Sequence, residues 1–361
     1  MTTINDVAKR AGVSSATVSY VINKKAKISE KTTERVLKAI NELNYIPNNA
    51  AKGLKMSITR TIGILAEDIS AFLAPEIIDG ICKQSEADNY QISLCNLHVH
   101  GKINKYMHDY KQMDKSKEFS DSIRRSVNTL LSSPVCGLIY IGEHPRDISG
   151  LLPKLDIPVV YTYCFSKSDD SFKTKSIHYD DIQGAKLAVE HLISSGHSKI
   201  AVICGADGSY STCKRLIGYK TALAEKNLPL YDDYIVSGDW SVESGHRQTD
   251  KLFSLAMPPT AIFSMNDLMA FGSVRAINKR GLKVPDDISV HGFDNMNFSQ
   301  FMTPALTTIA LPLHEMGRKA AECIIKMVEN HGLNDDNEID AGLEMIKCRH
   351  LSRGSVKQFD F

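Results

Sequence analysis

The sequence predicts a small all-α head followed by an α/β body of two lobes with parallel sheets. Residues 1–60 hold 11 Lys and Arg against 4 Asp and Glu, a net charge of +7, whereas the remaining residues carry −6. Apolar residues recur at helical spacing before Pro47. From Thr61 onward, short apolar segments alternate with amphipathic helical segments, the pattern of parallel strands joined by crossover helices.

The first two helices of the head are predicted from their ends. Thr3 is followed three residues later by Asp6, which forms a capping box. Gly12 can adopt the positive φ at which a helix ends, and Ser14 can cap the next helix. Two short helices joined by such a tight turn have the spacing of a helix-turn-helix. The residues expected to bury them are Ile4, Val7, Ala8, Ala11, Val18, Val21 and Ile22.

A third helix completes the head. Ser29 is its predicted cap, and the helix ends before Pro47, which cannot continue it. Its expected buried stripe is Val36, Leu37, Ile40 and Leu43.

The sequence of the body predicts seven strands and at least six helices, which is more than one doubly wound sheet can contain. The strands are Thr61–Ala66, Gln91–Cys95, Cys136–Ile141, Ile157–Thr162, Lys199–Ile203, Thr260–Ser264 and Ile288–His291. The helices are Pro75–Asp88, Ile182–Ser195, Thr212–Lys226, Val242–Phe253, Asp267–Lys279 and Leu313–Val328. Two lobes joined by crossing strands fit this content. Ligands of open α/β sheets bind at the carboxyl ends of strands, so the expected site is the cleft between the lobes.

Composition excludes several classes of protein. The longest apolar runs are far shorter than the roughly 20 residues that span a bilayer, and charges interrupt any signal peptide. We therefore expect a cytoplasmic protein without membrane contact. The eight Cys lie apart with no CxxC, which predicts buried reduced thiols. Because the sequence has no Walker loop, GxGxxG, GxSxG or HExxH motif, we expect neither an enzyme nor a cofactor.

Segments along the whole chain resemble the lactose-repressor (LacI/GalR) family of bacterial transcription regulators. In the head they are Thr3–Ala8, Ala11–Ser14, Ala16–Ser19 and Asn44–Asn48. In the body they are Gly184–His197, Arg215–Tyr219, Asn266–Ala270 and Gly292–Asn295. The resemblance implies a DNA-binding head, a hinge helix and a two-lobed effector domain like that of periplasmic sugar-binding proteins.

The resemblance implies that the second helix lies in the major groove of operator DNA. Ser15, Ala16 and Tyr20 are expected to face base edges, and Thr17, Ser19 and Asn23 to lie nearer phosphate. The family usually has Arg at position 20, and Tyr cannot make its bidentate contact with guanine, so a different operator is expected. Packing of Tyr20 on the sugar-phosphate backbone is the alternative. The other predicted DNA contacts are Thr3, Ser14, Tyr45, Asn48 and Leu54.

The segment after the head resembles the family's hinge helix. Because it is short and contains Gly53, it should fold mainly on DNA. The resemblance implies that Leu54 then wedges between base pairs in the minor groove. A plain linker is the alternative. The predicted domains are the head, the hinge, the ligand-binding and dimerisation body, and a tail: 1–46, 47–60, 61–353 and 354–361.

In the body, the resemblance places the effector on Arg215, Asn266 and Asp294, with Trp240 over a sugar face and Phe72 adding a contact from the first lobe. A guanidinium, an amide and a carboxylate together suit a polyhydroxylated ligand, and an indole suits its ring face. Each also has a purely structural explanation. Arg215 could be a solvated helix residue, Asn266 a cap, Asp294 a turn residue and Trp240 a packing residue.

The expected function is a transcriptional repressor of a carbohydrate-utilisation operon. It would bind a pseudo-palindromic operator as a homodimer and be released by a small sugar-like effector. A purine-type or protein corepressor is one alternative, and a sugar-binding protein without a regulatory role is another. The same cleft serves an inducer or a corepressor, so the sign of the response stays open.

Residues 96–119 form a connection longer than α/β units usually have. They include His98, His100 and His108, which could bind a metal, but no acidic or Cys partner stands at a specific spacing. We expect a mobile surface loop or a partner contact.

Overall fold

A computed structural model of the chain describes residues 2–23, 28–43, 45, 59–99, 110–167, 174–331 and 342–358. The chain divides into two compact units, Met1–Thr59 and Arg60–Phe361. Of the segment predicted as a hinge, only Thr59 and Arg60 belong to the described residues.

The head is a three-helix unit whose first two helices form the predicted helix-turn-helix. Its helices are α1 (Ile4–Ala11), α2 (Ser15–Asn23) and α3 (Glu30–Glu42). Thr3 Oγ1 accepts from the Asp6 N–H and the Asp6 carboxylate accepts from the Thr3 N–H, so the predicted capping box is present. Gly12 ends α1 with φ 62°. The all-α head is therefore confirmed.

The core of the head is small and apolar. It contains Val7, Ala8, Ala11, Val18, Val21, Val36 and Ala39. The prediction that Leu37 is buried is wrong, because its side chain is 49% exposed. A helix turns about 100° per residue, so burial of Val36 and Ala39, three residues apart, directs Leu37 away from the core.

The first lobe of the body is built on one six-stranded sheet. Its strands are β1 (Thr61–Ala66), β2 (Gln91–Asn96), β3 (Gly137–Ile141), β4 (Val159–Thr162), β5 (Thr174–Tyr179) and β11 (Leu343–Ile346). They run parallel in the order β11-β5-β4-β3-β1-β2. Its helices are α4 (Ala74–Ala87), α5 (Tyr110–Lys115), α6 (Lys117–Leu131) and α11 (Leu313–His331).

The second lobe is built on a four-stranded parallel sheet. Its strands are β6 (Ile200–Cys204), β7 (Ile235–Ser237), β8 (Ala261–Ser264) and β9 (Ser289–His291), in the order β7-β6-β8-β9. Its helices are α7 (Asp181–Ser194), α8 (Tyr210–Glu225), α9 (Val242–Phe253) and α10 (Asp267–Lys279), with 3-10 turns at Asp232–Tyr234 and Ser299–Phe301. An antiparallel pair, β10 (Thr308–Ala310) and β12 (Arg349–Leu351), packs beside α7.

Among the described residues the chain passes between the lobes three times, as the prediction of two lobes joined by crossing segments requires. The crossings follow β5, β10 and β11. The strands that the sequence did not predict are β5, β7, β10, β11 and β12. Four of these have only three or four residues, and β5 contains Lys175 and His178 within its apolar pattern, so each gives a weak periodic signal.

The sequence predicted a mobile surface loop or a partner contact for the long connection after β2. At both of its described ends the structure shows buried residues instead of a mobile loop. Leu97 and Val99 are buried, and Met113 of α5 is buried with them in one apolar cluster. His100 and His108 lie outside the described residues. Within the described part of the chain, no helix is long and apolar enough to cross a membrane.

Residues 354–358, the described part of the segment predicted as a tail, pack on the second lobe. Ser355 is fully buried, where its Oγ donates to the Val290 carbonyl oxygen and accepts from the Thr307 N–H at 2.8 Å.

Candidate functional site

Helix α2 presents the predicted base-reading residues at the surface of the head. Ser15, Ala16 and Tyr20 are exposed, and Tyr20 keeps 48% of its surface accessible. Ala16 and Tyr20 are four residues apart and lie on the same side of the helix. Val18 and Val21 face the core instead. One side of α2 therefore holds the head together while the other is available to a groove.

Two of the predicted DNA contacts also cap helices. Ser14 Oγ accepts a hydrogen bond from the Thr17 N–H at 3.1 Å, which caps α2. Thr3 does the same for α1. Both side chains thus fix the starts of the helices whether or not DNA is bound.

The remaining predicted DNA contacts are less accessible or lie outside the description. Thr17, Ser19 and Tyr45 are half-buried, and Tyr45 packs against the head core. The structure does not describe Asn48, Leu54 or the side chain of Asn23.

In the body, Arg215 lies at the centre of a buried polar cluster. It is only 2% exposed. Its Nε donates to Asp181 Oδ1 at 2.7 Å, and its Nη2 donates to the Tyr179 hydroxyl oxygen at 2.9 Å. Its Nη1 donates to the Met265 carbonyl oxygen and lies 3.4 Å from Asp294 Oδ1. The solvated-helix explanation of Arg215 is therefore wrong.

Asp294 follows β9 in a left-handed backbone conformation, with φ 107°. Burial raises the pKa of this carboxyl to about 8, although the nearby Arg215 guanidinium favours the charged form. A carboxyl group that keeps its proton near neutral pH can donate as well as accept a hydrogen bond. The ring of the preceding residue, Phe293, lies 3.7 Å from Arg215 Cζ and adds a cation–π contact.

Asn266 and Trp240 lie beside this cluster and also serve structural roles. Asn266 Oδ1 caps α10 by accepting from the Met269 N–H at 2.8 Å, and its Nδ2 donates to the Trp240 carbonyl oxygen at 3.0 Å. The Trp240 ring covers Gly205, where a Cβ atom would meet the ring at 2.0 Å. The ring centre is also 5.6 Å from Arg215 Cζ.

Stacked rings line the first-lobe side of the cluster. Tyr163 and His178 stack with centroids 5.9 Å apart, and His178 and Tyr179 with centroids 4.7 Å apart. His178 Nδ1 lies 2.8 Å from the Tyr179 carbonyl oxygen, whereas His178 Nε2 is buried without a hydrogen-bond partner among the described residues. Thr212 Oγ1, at the start of α8, is also buried without a hydrogen-bond partner among the described residues.

The sequence did not single out Asp181 and Tyr179 as part of this site. Nothing local in the sequence links Asp181 with Arg215, because the two residues are 34 positions apart. Phe72, the predicted first-lobe contact, lies between β1 and α4, half-buried against the body core.

A helix-turn-helix head followed by a two-lobed α/β body is the architecture of one class of DNA-binding transcription regulators. The family model described as "Bacterial regulatory proteins, lacI family" matches residues 3–48, and the model described as "Periplasmic binding protein-like domain" matches residues 189–356.

Relatives match over the whole chain. The "HTH-type transcriptional repressor PurR" of Vibrio parahaemolyticus is 34% identical over 361 residues, all of both chains, and that of Pectobacterium atrosepticum is 33% identical over 99% of both. The lac repressor dimer bound to operator and the anti-inducer ONPF superposes with a TM-score of 0.74, at 28% identity over 99% of both chains. The chain belongs to the lacI family of bacterial regulatory proteins, and it is a DNA-binding transcriptional repressor.

Proposed function

We propose that the protein represses transcription as a homodimer on a pseudo-palindromic operator, and that a purine-type corepressor bound between the lobes strengthens repression. The observation that carries the choice of ligand is the likeness over the full chain to repressors named PurR. It favours the purine-type alternative over the sugar-like effector that the sequence first suggested.

The chemistry of the lobe junction supports a flat, heteroaromatic ligand. Tyr163, His178 and Tyr179 form a stacked aromatic group, and a planar ring gains more from contact with such a group than a puckered sugar does. A purine edge alternates donors and acceptors. His178 Nε2 and a protonated or charged Asp294 are polar groups that can pair with such an edge.

The head supports the operator and dimer proposals. A regulator that reads DNA with one exposed helix per head needs two heads to recognise two half-sites, and a two-fold dimer matches a pseudo-palindrome. The lac repressor to which the chain is similar is itself a dimer bound to operator. Ser15, Ala16 and Tyr20 are the side chains we assign to base contacts.

Regulation then requires that the ligand prefer one arrangement of the lobes. A ligand between the lobes shifts their equilibrium by its difference in affinity for the two arrangements, and such coupling is typically about 1–3 kcal/mol. For a corepressor, the preferred arrangement is the one that binds operator more tightly.

The test measures ligand binding and DNA binding on the same full-length protein. Purine bases, purine nucleosides, sugars and sugar phosphates are titrated while the fluorescence of Trp240, the sole tryptophan, is followed. An operator is selected from a pool of random duplexes, and its affinity is measured with and without each compound. We expect one purine to bind saturably and to tighten operator binding about 5–150-fold.

Two variants check the site. Asp294→Asn should weaken purine binding, whereas Asp286→Asn, the same change at an exposed position, should leave it unaltered. A sugar that binds and weakens operator affinity would overturn the purine proposal. Absence of any response would favour a protein corepressor.

A further inference from the structure

A cavity of about 380 Å³ lies where the two lobes meet, and its lining is separate from the Arg215 cluster. The first lobe contributes Phe165–Lys167 and Thr174–Ser176. Helix α8 of the second lobe contributes Tyr210 and Lys214, and Gly342 and Leu343 are the other described residues of the lining. A ligand here would contact both lobes at once.

The lining of this cavity is basic. It includes Lys167, Lys175 and Lys214. Lys175 pairs with Glu344 at 3.2 Å, and Lys167 lies 3.8 Å from Asp147. Among the described residues no carboxylate forms an ion pair with Lys214. The cavity therefore has at least one ammonium group whose charge the described carboxylates leave unneutralised.

The same cavity has an aromatic wall that spans the two lobes. Phe165 and Tyr210 lie with ring centroids 5.1 Å apart and planes tilted by 55°. Lys167 Nζ is 5.6 Å from the Phe165 ring centre, and Lys214 Nζ is 5.3 Å from that of Tyr210. Each ring thus has an ammonium group above it, and an anion bound to these lysines would lie beside an apolar ring surface.

Helix α8 adds to the positive potential. Tyr210 is its first residue, and the helix has 16 residues, so the partial positive charge of its N-terminus lies beside the cavity. Ser209 caps one N–H, that of Thr212, at 3.2 Å. The helix end and the lysines therefore favour the same sign of ligand charge.

We propose that this cavity binds a small organic phosphate, a phosphate monoester whose ring or apolar part packs on Phe165 and Tyr210. The phosphate pairs with Lys214 and its neighbouring lysines. Several ammonium groups favour a doubly charged phosphate over a ligand that carries a single carboxylate. Because the ligand contacts both lobes, it stabilises the arrangement in which Phe165 and Tyr210 are in contact.

The experiment is calorimetric titration of the full-length protein at constant ionic strength with two probes, phenyl phosphate and inorganic phosphate. Phenyl phosphate should bind at least about tenfold more tightly, since it adds the ring contact. Lys214→Gln should weaken phenyl phosphate binding at least about tenfold, the usual effect of losing a charged hydrogen-bond partner. Lys175→Gln gives a second reading if the first variant is unstable.

Lys220→Gln is the matched control, because Lys220 lies on the same helix, is exposed and does not line the cavity. It should change affinity less than twofold. The proposal is overturned if the wild-type protein binds neither probe. It is also overturned if Lys220→Gln weakens binding as much as Lys214→Gln, which would indicate a general charge effect.

Discussion

The Arg215 guanidinium, on the second lobe, donates a hydrogen bond from Nη2 to the hydroxyl oxygen of Tyr179, the last residue of the first-lobe strand β5, at 2.9 Å. Tyr179 stands where the chain crosses from one lobe to the other. The bond is fully buried, so its loss would not be compensated by water. Any change in the angle between the lobes must therefore keep this bond or exchange it for a ligand contact.

Arg215→Met should lower the free energy of unfolding by about 3–5 kcal/mol, because it leaves the buried carboxylate of Asp181 without its cation. Urea unfolding followed by circular dichroism measures the change. The matched control is Arg247→Met, because Arg247 is 63% exposed and forms its ion pair with Asp239, at 3.5 Å, on the surface. This change should lower the free energy of unfolding by less than about 1 kcal/mol.

This expectation adds a structural role to the effector contact that the family resemblance implies for Arg215. If Arg215→Met keeps full stability and loses only the response to ligand, the ion pair with Asp181 contributes little and the residue belongs to the ligand.

The network around Arg146 gives a second stability prediction. Arg146 bridges Glu67, which is fully buried, at 2.6 Å and Asp114 of α5 at 2.9 Å. The guanidinium holds the pKa of Glu67 below its usual value despite the burial of that carboxyl. Arg146→Met should therefore cost about 3–5 kcal/mol in urea unfolding, whereas Arg124→Met, at an exposed position on α6, should cost little.

Adding Glu67→Gln to Arg146→Met should restore part of the lost stability, because the double variant no longer leaves the charge of Glu67 buried without its cation. A double variant less stable than Arg146→Met alone would show that the Glu67 charge has another partner.

The sequence predicted the head better than the ligand site, and the reason is the range of the contacts. Thr3, Asp6 and Gly12 act within one helix and its ends, so their pattern alone indicates a capping box and a turn. Arg215 meets Tyr179 and Asp294, which are 36 and 79 residues away, and only the folded lobes bring them together. The resemblance to a family identified Arg215 and Asp294, but it could not indicate that they bind each other.

The connection after β2 illustrates the same limit. Its length suggested a loop, yet Asp114 belongs to a helix that Arg146, 32 residues later, attaches to the first lobe. A single ion pair between distant residues leaves no periodic trace in the sequence.

Stability should fall as the pH is lowered from about 7 towards 4. Burial lowers the pKa of His350 to about 4 and that of His197 to about 4, and it places the pKa of His291 below its ordinary value. In the unfolded chain these groups titrate near 6.5. Below that pH the unfolded state takes up protons that the folded state does not, so the stability that these three histidines contribute is complete above pH 6.5 and is lost on acidification.

The measurement is urea unfolding of the wild type and of His350→Phe at pH 7.5, 6.5, 5.5 and 5.0. The variant should lose less stability between pH 6.5 and 5.0, by up to about 1 kcal/mol, since solvent reaches part of the His350 ring. Burial raises the pKa values of Asp294 and Asp267, so these two carboxyl groups favour the folded state as the pH falls. Their contribution is the same in the wild type and in His350→Phe, so it cancels in the comparison. Parallel pH profiles would contradict the prediction, because they would show that His350 takes up its proton in the folded protein as readily as in the unfolded chain.

Tyr20 lies on the exposed face of α2, among the residues that we assign to base contacts. Tyr20→Ala should weaken binding to the selected operator by about 1–3 kcal/mol, the usual cost of one lost base contact, and should relax the preference at a single base pair. Because Tyr20 carries no charge, binding to random duplex DNA and the dependence of affinity on salt should not change. Tyr20→Arg should instead favour guanine at that base pair, since Arg can contact guanine with two hydrogen bonds. Urea unfolding checks that each variant is folded, and it should not change, because Tyr20 is 48% exposed. Equal weakening on operator and random DNA would assign Tyr20 to the sugar-phosphate backbone.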